Sequence, residues 1–157
     1  MKQYLIVFLI SMVPLIELRG AIPYAVGVGL PIVPSIIIAV IGNMIPVPFI
    51  FLFARRILEW GKDKRWIGGF FSWCLEKGEK GGRKLEAKAG QGLYVALLLF
   101  VGIPLPGTGA WTGTLAASLL AMDFKKSVLY VLGGVLLAGV IMLLASLGVF
   151  GAISFLK

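Results

Sequence analysis

Glu17 and Arg19 stand alone: from Tyr4 to Ala54 no other side chain is charged. A charge held at the centre of a bilayer costs about 2.5–3.5 kcal/mol. Such residues therefore face protein, water or each other, and they are functional candidates by default. A buried carboxylate near an aqueous path can carry protons. An arginine stays charged and suits phosphate or carboxylate groups. Two residues apart, the two side chains do not face each other on a regular helix. They either pair around a helix break or each finds a partner in another segment. A plainer reading stands beside this one, in which Glu17 caps a helix starting near Gly20 and Arg19 binds loop carbonyls.

A second set of candidates lies far along the chain. Pro104, Pro106, Gly107 and Gly109 open the backbone, and Thr108, Trp111, Thr112 and Thr114 supply hydroxyls and an indole. Helix N-termini at such breaks present free N–H groups that attract anions. Residues 107–112 are therefore candidates to complete a site with Arg19; the alternative is close packing of small residues. Asn43 either binds substrate or bonds helices together. Asp123 is a secondary candidate, read first as the N-cap of the last helix and second as a proton carrier. The helix breaks are assigned to Gly20 and Pro23 in the first block, and to Pro104, Pro106, Gly107 and Gly109 in the second.

The elements that position these residues follow from composition. Of 157 residues 59% are hydrophobic and 14% are charged, whereas a soluble domain carries about a quarter charged. The charges cluster: residues 55–90 hold ten of the fifteen basic and five of the seven acidic residues. Two apolar blocks flank one aqueous segment, which is the layout of an all-α integral membrane protein. Residues 35–54 and 127–150 are long enough to cross about 30 Å of hydrocarbon. Residues 4–16, 21–30, 91–103 and 109–122 are too short, and stretches of that length are more often re-entrant or buried. The expected order is a re-entrant hairpin (1–34), a transmembrane helix (35–56), an amphipathic connector (57–90), a second re-entrant hairpin (91–123) and a second transmembrane helix (124–152). The N-terminal apolar run lacks a good cleavage site and is read as part of the membrane unit.

Basic residues set orientation. With two hairpins, twelve of the fifteen Lys/Arg fall on one side, which is then the cytoplasm, with both termini outside. Hairpin plus span then occurs twice from opposite sides, an inverted repeat of the kind secondary transporters use. Gly20-Ala21 is set against Gly109-Ala110 and Gly42 against Gly133-Gly134 as its sequence trace. In the connector, Trp60, Trp66, Phe70, Phe71 and Trp73 suit a membrane interface and the Lys/Arg suit anionic headgroups. The expected partners are membrane lipids and an amphipathic substrate, and not nucleic acid. Two spans are too thin to enclose a pathway, so a homodimer or larger homo-oligomer is expected.

Several chemistries are excluded. Without histidine there is no His-based triad or His-ligated metal site. The single Cys74 permits no intramolecular disulfide. One deep carboxylate leaves little for catalysis, so no enzyme is expected. Neither metal nor cofactor is expected, beyond H+ or Na+ as a coupling ion.

Glu17-Leu18-Arg19-Gly20-Ala21-Ile22-Pro23, with the run from Gly102 through Pro104, Pro106, Gly107, Gly109 and Trp111 to Gly113, resembles the bacterial and archaeal family named putative small multidrug export proteins. That family looks like a distant branch of the DedA superfamily, and residues 116–124 are similar to the segment closing the second DedA hairpin. The resemblance implies a transporter in the bacterial or archaeal cell (inner) membrane. It would move a lipid or amphipathic, polyprenyl-phosphate-like substrate, proton coupled through Glu17, which matches the acidic position of the first hairpin. The arginines of the second DedA hairpin are missing, and Thr108 and Trp111 stand nearby. The alternatives are a cation-coupled exporter of small hydrophobic drugs, and a non-transporting scaffold or assembly factor.

Overall fold

The computed structural model describes residues 1–66 and 68–155, without the side chains of residues 82, 85, 86, 154 and 155. Ile67 of the expected connector and Lys157, counted above among the outer basic residues, lie outside them. The described residues form eight helices and no strand: α1 (Lys2–Met12), α2 (Glu17–Gly27), α3 (Ile32–Met44), α4 (Pro46–Lys62), α5 (Gly68–Ala89), α6 (Gly92–Gly102), α7 (Ala110–Leu119) and α8 (Phe124–Phe155).

Two apolar helical stretches are long enough to cross a membrane, Ile32–Lys62 and Phe124–Ile153. The first comprises α3 and α4. Pro46 and Pro48 have no amide hydrogen, so the carbonyls of Gly42 and Met44 lose their partners one turn on. Ile45 nevertheless keeps helical angles, φ −58° and ψ −46°. At about 1.5 Å per residue the 31 residues extend well beyond ~30 Å of hydrocarbon. The excess carries Arg55, Arg56 and Glu59 past the apolar part.

The short helices end where proline dictates. Val13 precedes Pro14 and Ile103 precedes Pro104, and a residue before proline is pushed out of the helical region. Both are extended, with φ −72°, ψ 130° and φ −79°, ψ 120°. Helix α1 therefore stops at Met12 and α6 at Gly102. This corrects one expectation. The first break lies at residues 13–16, not at Glu17–Gly20; Gly20 and Pro23 are inside α2. Gly20 serves close approach instead, since a Cβ there would lie 2.4 Å from Ile16 Cγ2. The second break falls at residues 103–109, where Pro104, Pro106, Gly107 and Gly109 are found.

Helices α2 and α7 end alike. Val28, Gly29 and Leu30 donate to the carbonyls of Tyr24, Val26 and Ala25; Leu120, Ala121 and Met122 donate to those of Ala116, Ser118 and Ala117. Gly29 takes the left-handed position at φ 72°, and Ala121 takes it at φ 55°. The same spacing carried along the chain matches Ser35 with Ser127, Gly42 with Gly134 and Asn43 with Val135. The packing agrees: a Cβ on Gly42 would meet the Phe8 carbonyl at 2.7 Å, and one on Gly134 the Leu98 carbonyl at 2.6 Å. It also sets Gly109 against Glu17, not against Gly20.

Helix α1 packs on α3 and α6 on α8, while α2 reaches α8 and α7 reaches α4. The core runs through Val7, Leu18, Ile22, Val47, Val101, Val131 and Val135. Helix α5 carries the charged segment. Its Gly78 sits so near the Leu119 carbonyl that a Cβ would clash, and Arg55 of α4 ties it down by a bond to Glu79 (2.7 Å) while also bonding Glu59 one turn along α4 (3.0 Å). Trp66, Phe70 and Trp73 stay exposed, as interfacial side chains do.

Candidate functional site

The two deep charges do not bond each other. Each reaches across to the second helix pair. Leu15 and Glu17 both have positive φ, 68° and 52°, and this twist turns the Glu17 side chain away from its own helix. Its carboxylate receives the first two N–H groups of α7, Ala110 N to Oε2 at 3.2 Å and Trp111 N to Oε1 at 3.0 Å. Glu17 is 2% exposed. A carboxylate at a helix N-terminus satisfies orphan donors and meets the positive end of the helix dipole. The expected cap is therefore real but serves α7, not the helix beginning near Gly20. Gly109 makes room: at φ 136° it occupies a glycine-only region, and a Cβ would sit 2.6 Å from Glu17 Oε2.

Two residues later, about half a turn around α2, Arg19 spreads over the 103–109 loop. Nη1 donates to the Leu105 carbonyl at 2.8 Å. Nη2 lies 3.1 Å from the Val101 carbonyl, 3.2 Å from that of Ile103 and 2.9 Å from Thr108 Oγ1. Proline and the loop end α6 early, which takes these carbonyls out of the helix ladder; those of Ile103 and Leu105 also accept the Leu105 and Thr108 N–H groups. The Thr108 hydroxyl in turn lies 2.9 and 2.8 Å from the Ile103 and Leu105 carbonyls. A planar, always-charged fork offers such acceptors more donors, spread over a wider reach, than an ammonium does. Beside it opens a cavity of about 490 Å³, lined by Leu15, Arg19, Pro104, Leu105, Pro106, Gly107 and Met142.

The chain matches the family described as putative small multi-drug export proteins over residues 17–141, from Glu17 itself to the middle of α8. It belongs to that family. Comparison with curated proteins and with solved structures finds no match. Family membership and the two long apolar helices make it a membrane protein.

The family's matched region begins at the residue that caps α7, and most of the sequence candidates gather around it. Glu17, Arg19, Thr108 and the backbone of Trp111 form one connected cluster with Gly107 and Gly109. Thr112 does not join it; its hydroxyl lies 3.4 Å from the Gly109 carbonyl in its own turn. Asp123 is remote. It accepts the Lys126 N–H at 2.9 Å as the N-cap of α8, and its own N–H donates to the Tyr94 hydroxyl. Asn43 is fully buried, and neither its oxygen nor its nitrogen has a hydrogen-bond partner among the described residues. Leu15 and Met142, which line the cavity, carry no signal in the sequence. The positive φ of Leu15, which aims Glu17, could not have been read from a leucine. A second space, an apolar groove of about 650 Å³, runs past Leu9, Met12, Pro14, Ile45, Phe49 and the ring of Trp111.

Proposed function

We propose that the protein is a secondary transporter that moves a lipid or another amphipathic molecule, anionic ones included, with Glu17 and Arg19 acting as a latch between its two halves. The observation that carries this reading is the crossing of both intramembrane charges to the opposite helix pair. The latch joins α2 to both ends of the 103–109 loop, with the cavity beside Arg19 as the substrate space. A phosphate or carboxylate head entering that cavity competes with the Leu105, Ile103 and Val101 carbonyls for the guanidinium. A proton on Glu17 would take away the anion that holds the α7 N-terminus. Either event frees the loop, which is the coupling such a carrier needs.

Support for two inverted repeats, each a re-entrant hairpin and a span, comes from the matching ends of α2 and α7 and from the cross-packing of α2 on α8 and α7 on α4. In such transporters broken helices meet near the midplane. The charge distribution supports a cytoplasmic connector with both termini outside, in a bacterial or archaeal cell membrane. Two spans also favour a homodimer or larger homo-oligomer. A second reading, export of small hydrophobic drugs, is favoured by the groove along Trp111, whose lining is almost wholly apolar.

Purified protein in proteoliposomes, screened against anionic lipids and against lipophilic cations with and without a pH gradient, tests both. The transporter reading expects gradient-dependent movement of one class, slowed at least tenfold in Glu17→Gln and in Arg19→Lys. Movement of neither class above protein-free vesicles would refute it.

A further inference from the structure

Among the described residues the buried polar atoms without a hydrogen-bond partner include both amide atoms of Asn43, Thr114 Oγ1 and Trp111 Nε1, with Ser127 Oγ and Arg19 Nε elsewhere. Asn43 is 0% exposed and Thr114 1%. Leaving such groups unpaired in an apolar interior is costly, and in lipid no solvent relieves it.

The helix packing brings Asn43, Thr114 and Trp111 to one seam. The Ser118 hydroxyl donates to the Phe51 carbonyl at 2.7 Å. On α7 the buried residues Ala110, Thr114 and Ser118 recur every turn, and Asn43, Val47 and Phe51 do so on α3–α4. Trp111 shares a groove with Ile45, Pro46 and Phe49, so the two helices run in the same sense. Stepping back from the Ser118–Phe51 contact sets Thr114 level with Val47 and Asn43 level with Ala110 and Trp111. Those are the residues whose N–H groups hold the Glu17 carboxylate. The proline-freed carbonyls of Gly42 and Met44 flank the same level.

At two of these three positions the fold itself does not ask for polarity; the third, Trp111, answers to Arg19. Val135 stands where Asn43 would in the matching half, and Ile22 where Thr114 would, and both are buried as apolar residues. The seam joins α3 of the first half to α7 of the second, beside the Glu17 carboxylate.

We infer that the Asn43–Thr114–Trp111 seam binds water inside the membrane and gives Glu17 its proton path. This rests on the transporter reading for its purpose, though not for its existence. Water suits the set because it can accept from the indole and amide N–H groups and donate to the amide oxygen, the hydroxyl and the free carbonyls. A bare cation would leave the indole and amide N–H groups unsatisfied, and it would add charge to a Glu17–Arg19 pair that is already neutral. In the transfer step hydronium in the seam gives its proton to a Glu17 oxygen and leaves as water, with no other bond made or broken. Arg19 is the charged group facing Glu17. Helices α3 and α7 carry no titratable side chain, Tyr24 lies two turns along α2, and Lys2, Tyr4, Tyr94, Lys125, Lys126 and Tyr130 lie toward the far ends of α1, α6 and α8.

The test uses the full chain in lipid nanodiscs with Trp60, Trp66 and Trp73 replaced by Phe, so that Trp111 alone emits. Red-shifted emission and a longer lifetime after equilibration in D2O are expected, and both are lost in Asn43→Val and in Thr114→Val. The matching Val135 argues that Asn43→Val folds, and Thr114→Val is an independent second variant. Dry, blue emission with no D2O effect overturns the inference. So does a D2O effect that survives both substitutions, or an emission that follows Na+ at fixed pH. No substrate enters this measurement. A wet seam beside a failed vesicle screen would refute the transporter and keep the site, and the converse would remove the site alone.

Discussion

Helix α2 begins with Glu17 at φ 52°, and α7 begins after Gly109 at φ 136°. At the other end of each helix Gly29 and Ala121 close the same hydrogen-bonded turn. Along the long helices Asn43 answers to Val135, and Ser35 to Ser127, both serines buried. The first helix pair thus carries the charges, and the second carries the free backbone that receives them. Two helices that end alike thus frame an asymmetric site, with the charges on one and the backbone that receives them at the start of the other.

The comparison breaks most readily at Glu17. Replacing it with Ala leaves two N–H groups of α7 and the Arg19 charge without their anion, at a cost of roughly 3 kcal/mol. Thermal unfolding in detergent should show a large drop in midpoint, larger than for Glu17→Gln, which keeps one acceptor. A midpoint unchanged in Glu17→Ala would mean that the cap does not hold the two pairs together.

Gly109 and Gly29 sharpen the contrast. Gly109→Ala combines a forbidden backbone angle with a Cβ 2.6 Å from the carboxylate, for a loss of about 1–3 kcal/mol. Gly29→Ala meets nothing within 4 Å and should cost about 1 kcal/mol, the left-handed penalty that Ala121 already bears. If the two substitutions proved equal in an unfolding titration, the Glu17 contact at Gly109 would be without energetic weight.

Thr108→Val removes one of the four acceptors around Arg19 and should cost about 1 kcal/mol. Because the other three are carbonyls, Arg19→Lys should be worse than Thr108→Val in the same assay. The smallest effect belongs to the surface. Glu76 bonds Lys80 on exposed α5, and this partner holds its carboxyl below the usual range. Lys80→Gln should raise that pKa in an NMR titration yet leave the unfolding midpoint where it was, since exposed pairs are screened by water.

Much of this was legible in the chain. The two spans announce themselves by length and hydropathy, and the second break by its prolines and glycines. The first break was misplaced because Glu17-Leu18-Arg19-Gly20 looks like a polar turn. Pro14 decides it, through Val13, and the turn is completed by Leu15 and Glu17 at angles that non-glycine residues rarely adopt. The chain also leaves open a partner for each of Glu17 and Arg19 in the second apolar block, but does not say which atoms. Apart from the Thr108 hydroxyl, those partners are backbone groups more than eighty residues away. A backbone group has no identity to read in a sequence.

The central claim is that the carboxylate of the first helix pair holds the N-terminus of α7 within the bilayer. Amide hydrogen exchange at Ala110 and Trp111, measured in nanodiscs on the native chain and on Glu17→Gln, addresses it directly. The account predicts that both amides are protected in the native chain and exchange at least tenfold faster in the variant, with the middle of α8 unchanged. Equal protection in the two proteins would contradict it.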